Sequence, residues 1–100
     1  MQENIIKKGA ANWVDGWNAK GGKLILTDQS LYFEGHAFNI GKKQNELKLK
    51  EIQEVTTKFL NLLIITTKDG RKIEYRVNGR KKWQQTIQKQ IFFGDDHEEI

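Results

Sequence analysis

The stretch that decides the fold covers residues 23–35 and reads Lys-Leu-Ile-Leu-Thr-Asp-Gln-Ser-Leu-Tyr-Phe-Glu-Gly. Apolar residues alternate on both sides of a polar centre at residues 28–30, which is typical of two antiparallel strands joined by a turn. The side chains that would face a core lie on one side of this hairpin: Leu24, Leu26, Leu31 and Phe33. The stretch therefore predicts a β-hairpin around which the other elements are arranged.

One strand is predicted before this hairpin. Residues 10–19 are rich in tryptophan and valine, which favour a strand, and Gly16 is interpreted there as a bulge or a point of close packing. Residues 20–23 read Lys-Gly-Gly-Lys, and two glycines supply the positive φ angles of a tight hairpin turn. The sequence therefore predicts a turn that is flanked by Lys20 and Lys23.

Four further strand segments follow the hairpin. Residues 45–50 and 72–77 alternate between apolar and polar side chains, and residues 62–67 are the most apolar run. Residues 51–59 also favour a strand, but their irregular apolar spacing predicts a turn or bulge near Gln53. Two connections are predicted between these segments: a corner at Leu60-Asn61 and a turn at the Lys-Asp-Gly-Arg segment, residues 68–71.

The period changes to that of a helix near the end of the chain. Apolar residues recur there every fourth position: Trp83, Ile87 and Ile91. We expect a helix over residues 79–92, with Asn78 as its N-cap and Gly94 as its end. Seven short strands and one amphipathic helix indicate a mainly β protein, a barrel or roll of antiparallel strands capped by the helix.

Length and composition limit the classes of function. One hundred residues are enough for one domain, which we divide into an N-terminal segment (1–9), a domain (10–93) and an acidic, mobile tail (94–100). The absence of cysteine excludes disulfides and thiolate metal sites. The chain also lacks an apolar run that could span a bilayer, so we expect a cytoplasmic protein. A net charge of +4 favours an anionic partner, although a lysine-rich solvated surface explains it equally well.

Four segments in this order resemble the GRAM domain family, which belongs to the pleckstrin-homology (PH-like) superfold. They are residues 21–33, 49–55, 67–70 and 79–83. The resemblance implies a PH-like barrel of about seven antiparallel strands in two sheets, capped by a C-terminal helix. It also implies a non-catalytic binding module for anionic lipids or peptides, or a scaffold.

The candidates for contact with an anionic lipid surface are basic residues on two loops and at the helix start: Lys20, Lys23, Lys42, Lys43, Arg80 and Lys81. The resemblance places the two loops at one rim of the barrel. PH-like lipid sites normally have an arginine in the second strand and a long first loop, whereas this chain has Ile25 and a short turn. We therefore expect a non-specific anionic surface contact, or solvated lysines without a ligand.

The candidates for a partner interface are Trp17, Phe92 and Phe93, whereas the other aromatic residues, Phe59 among them, are expected mostly in the core. The alternative function is accordingly a homo-oligomeric interaction or scaffold protein without lipid binding. The sequence contains no catalytic motif, and we expect no enzyme activity, cofactor or metal site. The basic residues are too dispersed to favour nucleic acid.

Overall fold

The structure, a computed structural model, describes residues 3–36 and 42–98, with side chains described as far as Phe93. Within these residues it contains seven strands and one α-helix, and a 3-10 turn at Leu49–Glu51 connects the fourth and fifth strands. The elements are β1 (Ile5–Asp15), β2 (Asn18–Thr27), β3 (Ser30–Gly35), β4 (Gln44–Lys48), β5 (Ile52–Lys58), β6 (Leu62–Thr67), β7 (Lys72–Val77) and α1 (Arg80–Glu98).

The strands form an antiparallel sheet in the order β4-β3-β2-β1-β7-β6-β5. The predicted class, mainly β with a C-terminal helix, is confirmed, but the seven strands are hydrogen-bonded into one sheet instead of two. The reason is the length of β1, which pairs with β2 from Ile5 to Asp15 and also with β7 from Ala11 to Val14. One long strand therefore joins the two halves that we expected to be separate.

The predicted central hairpin is confirmed and supplies much of the core. Its inward side chains are almost completely buried: Leu24, Leu26, Leu31 and Phe33. The predicted helical stripe meets them, because Trp83 and Ile87 are buried in the same core and Ile91 packs against it. Gly9 of β1 lies beside the Trp83 ring, since a Cβ atom there would be 3.4 Å from the ring. The helix therefore closes the barrel.

The connections after β4 agree with the sequence pattern. The ladder between β5 and β6 shifts register between Ile52 and Glu54, which places the predicted bulge at Gln53. The corner at Leu60 and Asn61 is also confirmed, and both residues have positive φ, 63° and 62°. Left-handed backbone is rare for leucine, so this turn is strained.

Two predicted boundaries were wrong. β1 begins at Ile5 instead of Ala10, and α1 continues through Gly94 to Glu98. A glycine inside a helix costs only about 1 kcal/mol relative to alanine, so it permits continuation. The division of the chain into residues 1–9, 10–93 and 94–100 stays a prediction. Residues 99 and 100 and the acidic side chains of the tail lie outside what the structure describes.

The start of α1 also differs from the prediction. The first residue of the helix is Arg80, and the Trp83 amide donates to the Gly79 carbonyl at 3.0 Å. Gly79 has a φ of 72°. The last residue before the helix is therefore Gly79, and Asn78 lies one position further back.

Candidate functional site

The β1–β2 hairpin turns at Gly16 and Trp17, not at the Lys-Gly-Gly-Lys segment. Asp15 lies opposite Asn18 in the ladder, so Gly16 and Trp17 form the whole turn. Gly16 has a φ of 62°, the positive angle that a type II′ turn needs at its first central position. Asp15-Gly16 is thus the segment of the sequence that indicates the turn. The double glycine at residues 21–22, which we interpreted as the turn, lies inside β2.

The residues of the predicted turn lie inside β2 because Gly22 is needed for packing. A Cβ atom on Gly22 would lie 2.2 Å from the Glu34 carbonyl oxygen and 2.6 Å from the Phe33 ring. Only glycine lets β3 approach this closely. Lys20 and Lys23 are consequently strand residues, and because they are three positions apart they project from opposite faces of β2.

Trp17 is fully exposed, with a relative accessibility of 104%, at the tip of this two-residue turn. Val14 lies opposite Glu74, so the β6–β7 turn lies at the same end of these strands as Trp17. Basic residues accompany Trp17 on this part of the molecule, which we name the Trp17 end: Lys20, Lys68, Arg71 and Lys72.

Two of these cations have carboxylate partners. The Lys20 Nζ atom lies 4.0 Å from Asp15 Oδ2 and 4.8 Å from the centre of the Trp13 ring. The Arg71 Nε atom lies 3.2 Å from Asp69 Oδ2. Both ion pairs are more than half exposed, and such pairs contribute little free energy. An anionic surface could therefore replace these carboxylates.

Lys43, a predicted anion contact, is instead held by residues of its own chain. Its Nζ atom lies 2.8 Å from Glu3 Oε2, 3.5 Å from Glu46 Oε2 and 4.7 Å from the centre of the Tyr32 ring. Lys43 thus ties the β3–β4 connection to the N-terminal segment, and its charge is already compensated.

Glu3 is the centre of this network. Its Oε1 atom accepts hydrogen bonds from the hydroxyls of Ser30 (2.6 Å) and Thr27 (3.1 Å), while Oε2 accepts one from Lys43. The hydrogen bond from Lys43, followed by that from Ser30, lowers the pKa of Glu3 from 4.5 to about 2. The carboxylate is therefore a structural anion that fastens residue 3 to the β2–β3 turn.

The other predicted basic contacts are dispersed. Lys23 is exposed on the outer face of β2, and Lys42 is exposed in the β3–β4 connection, of which residues 37–41 lie outside the description. Arg80 and Lys81 begin α1 at the end of β7 that is remote from the Trp17 end. The structure therefore does not bring the four loop lysines together at one rim, because Lys20 and Lys23 lie on opposite faces of β2.

The predicted partner residues Phe92 and Phe93 are exposed on α1, Phe92 by 64%. Their ring centres lie 5.9 Å apart in an edge-to-face arrangement. Phe92 borders a cleft of about 280 Å³ beside strand β5. Phe59, which we expected in the core, is also exposed, because β5 ends at Lys58 and Phe59 belongs to the turn beyond it.

A groove that the sequence did not predict lies on the outer face of the sheet. It has a volume of about 430 Å³ and is formed by β1, β2, β7 and the β5–β6 turn. Its polar lining includes Asn12, His36, Asn61 and Arg76, and its floor includes Gly21. We name it the Arg76 groove. These residues are far apart in sequence, and only the register of the strands brings them together.

The described residues contain neither a metal-binding cluster nor a membrane-spanning helix. Residues 3–36 and 42–98 contain no cluster of histidine and carboxylate side chains that could hold a metal ion. Over the same part of the chain, no helix is both long and apolar enough to cross a membrane.

Comparison with known proteins identifies the fold. No protein-family model and no curated protein matches the chain. Among solved structures, the C-terminal PH domain of human pleckstrin is 22% identical with a TM-score of 0.75, over 90% of this chain and 90% of that one. The same domain in complex with D-myo-Ins(1,2,3,4,5)P5 is 25% identical with a TM-score of 0.69, over 84% and 95% of the two chains. The Slm1 PH domain in complex with inositol 4-phosphate is 16% identical with a TM-score of 0.68, over 87% and 96%.

These likenesses extend over most of both chains in each pair. The strand order, the antiparallel pairing and the C-terminal helix described above account for them. The chain therefore has a PH-like fold, mainly β, with seven antiparallel strands in one sheet and a C-terminal helix.

Proposed function

We propose that this chain is a non-catalytic PH-like binding module that binds anionic phospholipid surfaces from the cytoplasm. Two of the PH domains that resemble it were solved with inositol phosphates, which supports an anionic ligand. We also propose that it belongs to the GRAM branch of this superfold, on the basis of the four sequence segments that resemble it.

The observation that carries this proposal is the exposure of Trp17 at the tip of a two-residue turn. Tryptophan has an apolar body and a polar N–H group, which suits the interface between lipid headgroups and acyl chains. The two-residue turn restricts the backbone at the tip, so little backbone conformational entropy is lost on insertion. The basic side chains of the Trp17 end would lie against anionic headgroups, each contributing about 1 kcal/mol.

Co-sedimentation with lipid vesicles tests the proposal. We expect binding to vesicles that contain phosphatidylserine, no binding to phosphatidylcholine alone, and weaker binding as salt screens the charges. Partial burial of the Trp17 ring is worth about 2 kcal/mol, so Trp17→Ala should weaken binding about thirtyfold. Phe92→Ala is the matched control, because it removes an exposed aromatic ring elsewhere and should bind normally. Equal losses in both variants, or no binding of the unmodified chain at low salt, would refute the proposal.

The exposed pair Phe92-Phe93 supports a second candidate function, self-association as a scaffold. The Phe92 ring borders the cleft beside β5, which is the last strand of the sheet. Analytical ultracentrifugation over a range of protein concentrations would test this function. A dimer that survives salt and is lost in Phe92→Ser would support it, whereas a monomer at all concentrations would exclude it.

A further inference from the structure

The Arg76 groove is built on a row of residues that crosses three neighbouring strands and ends just beyond a fourth. Arg76 on β7 lies opposite Asn12 on β1, and Asn12 lies opposite Gly21 on β2. The row ends at His36, whose amide donates to the Gly21 carbonyl at 3.0 Å. Because neighbouring strands are about 4.8 Å apart, the row places a guanidinium, an amide and an imidazole within a span of roughly 14 Å.

Gly21 leaves a gap in this row. A Cβ atom on Gly21 would lie 3.4 Å from Asn12 Oδ1 and 3.5 Å from His36 Cδ2, which are ordinary contact distances. Its backbone does not have a positive φ angle, unlike that of Gly16. Neither packing nor backbone conformation therefore demands glycine here, in contrast to Gly22. The gap is a slot with Asn12 and His36 as its walls and the strand backbone as its floor.

Arg76 is held in a defined orientation at one side of the groove. Its Nη1 atom donates to the Leu60 carbonyl oxygen at 2.7 Å. The Leu60 carbonyl is presented by the strained left-handed turn, and the next residue, Asn61, accepts a hydrogen bond from the Val77 amide at 2.9 Å. A guanidinium has five N–H donors, so most of them remain for a ligand. The strained turn thus positions the Arg76 guanidinium and is itself fastened to β7 through the Asn61 backbone.

The chemistry of the lining identifies the class of ligand. Among the described residues that line the groove, there is one arginine and one histidine, together with the amides of Asn12, Asn61 and Asn78, and no carboxylate. Glu34 and Glu74 project from the same face of the sheet but lie outside the lining. Arginine and amide N–H groups donate hydrogen bonds to phosphate oxygens, and the lack of a carboxylate among the described lining residues favours an anionic ligand.

We propose that the Arg76 groove is a binding site for a phosphate monoester. Arg76 supplies the charge-assisted hydrogen bonds, and the amide side chains contact the remaining oxygens and the group that carries the phosphate. The slot above Gly21 admits one end of the ligand. The site is separate from the Trp17 end, so either proposal can fail without the other.

The ligand could be a soluble phosphate ester or the headgroup of phosphatidic acid, which is also a phosphate monoester. The probes that distinguish these sources are glycerol 3-phosphate, titrated into the full chain and followed by ¹H–¹⁵N NMR, and vesicles that contain phosphatidic acid. We expect saturable shifts of the Asn12, Gly21 and Arg76 amides with glycerol 3-phosphate. If the ligand is instead a lipid headgroup, glycerol 3-phosphate should not bind. Substitution of Arg76 or Gly21 should then weaken binding to phosphatidic acid vesicles more than binding to phosphatidylserine vesicles of equal charge.

Three variants test the assignment. Arg76→Gln should weaken binding about tenfold or more, since it removes charge-assisted hydrogen bonds. Gly21→Val should fill the slot and also weaken binding, and β-branched residues suit a strand, so this variant is expected to fold even if Arg76→Gln does not. Arg71→Gln is the charge-matched control in the β6–β7 turn, away from the groove, and should bind glycerol 3-phosphate normally. Because Arg71 belongs to the Trp17 end, this control is used with the soluble probe and not with vesicles.

The outcomes separate the two proposals. Loss of phosphate-monoester binding in Arg76→Gln and Gly21→Val, with phosphatidylserine binding retained, supports the groove. Loss of glycerol 3-phosphate binding in Arg71→Gln to the same extent would show a diffuse charge effect and overturn it. The absence of saturable binding to both probes would also overturn it, whatever the effect of Trp17→Ala on phosphatidylserine vesicles.

Discussion

The carboxylate of Glu3 should make the stability of the fold depend on pH in a defined way. It accepts hydrogen bonds from Ser30, Thr27 and Lys43, and its side chain is only 17% exposed. The change we consider is Glu3→Gln, which keeps the shape of the side chain and removes its charge. We expect this variant to lower the free energy of unfolding at neutral pH and to have no effect in strong acid.

The magnitude follows from the pKa of Glu3, which is about 2 in the folded chain against a usual value of 4.5. Because the folded value is the lower one, the stabilisation is fully present above pH 4.5 and is lost as the pH falls toward 2. The full difference between these pKa values corresponds to about 3 kcal/mol. Lys43 is 40% exposed, so solvent screening reduces this contribution to about 1–2 kcal/mol.

Urea denaturation followed by tryptophan fluorescence would measure the effect at a series of pH values. The difference between the unmodified chain and Glu3→Gln should be about 1–2 kcal/mol at pH 7 and should approach zero near pH 2. Glu54→Gln, which removes the charge of an exposed carboxylate on β5, is the control and should leave the free energy of unfolding at pH 7 nearly unchanged. A difference that stays constant over the whole pH range would refute the assignment of Glu3 as a charged structural anchor.

Three further predictions concern stability and binding. Gly22→Ala should destabilise the fold by about 2–3 kcal/mol because its Cβ would meet the sheet backbone, whereas Gly21→Ala should be nearly neutral; similar melting temperatures would contradict this. Leu60→Gly should raise the free energy of unfolding by up to about 1 kcal/mol by relieving left-handed strain, and a loss in urea denaturation would count against it. Lys43→Gln should lower the free energy of unfolding by about 1 kcal/mol and leave binding to phosphatidylserine vesicles unchanged. Weaker co-sedimentation of this variant with the vesicles would show that Lys43 contacts the lipid after all.

The core could be predicted because its pattern is local. The alternation of apolar residues in the central hairpin fixes which side chains turn inward, and the spacing of Trp83, Ile87 and Ile91 defines a helical stripe. The bulge at Gln53 was predictable for the same reason, since a break in period is visible within a few residues. These features depend on neighbours in sequence, so the sequence alone contains them.

The candidate sites depend on strand register, which is not local. A shift of the turn from the Lys-Gly-Gly-Lys segment to Gly16-Trp17 moves Lys20 and Lys23 from a loop into a strand, and so removes the predicted basic rim. The same shift makes Trp17 the tip of the hairpin. The cause is that glycine serves two purposes, turn formation and close packing, and only the contact with β3 shows which one applies at Gly22.

The number of basic residues is therefore a poor guide to an anion site, because the structure assigns each cation a different environment. Lys43 contacts two carboxylates, and Arg71 contacts one. Arg76, in contrast, donates to a backbone carbonyl, which orients its guanidinium and leaves its positive charge uncompensated by that contact. Since an anion gains most from a cation that is oriented but not neutralised, Arg76 is better suited to bind one than Lys43, although only Lys43 was predicted from the sequence.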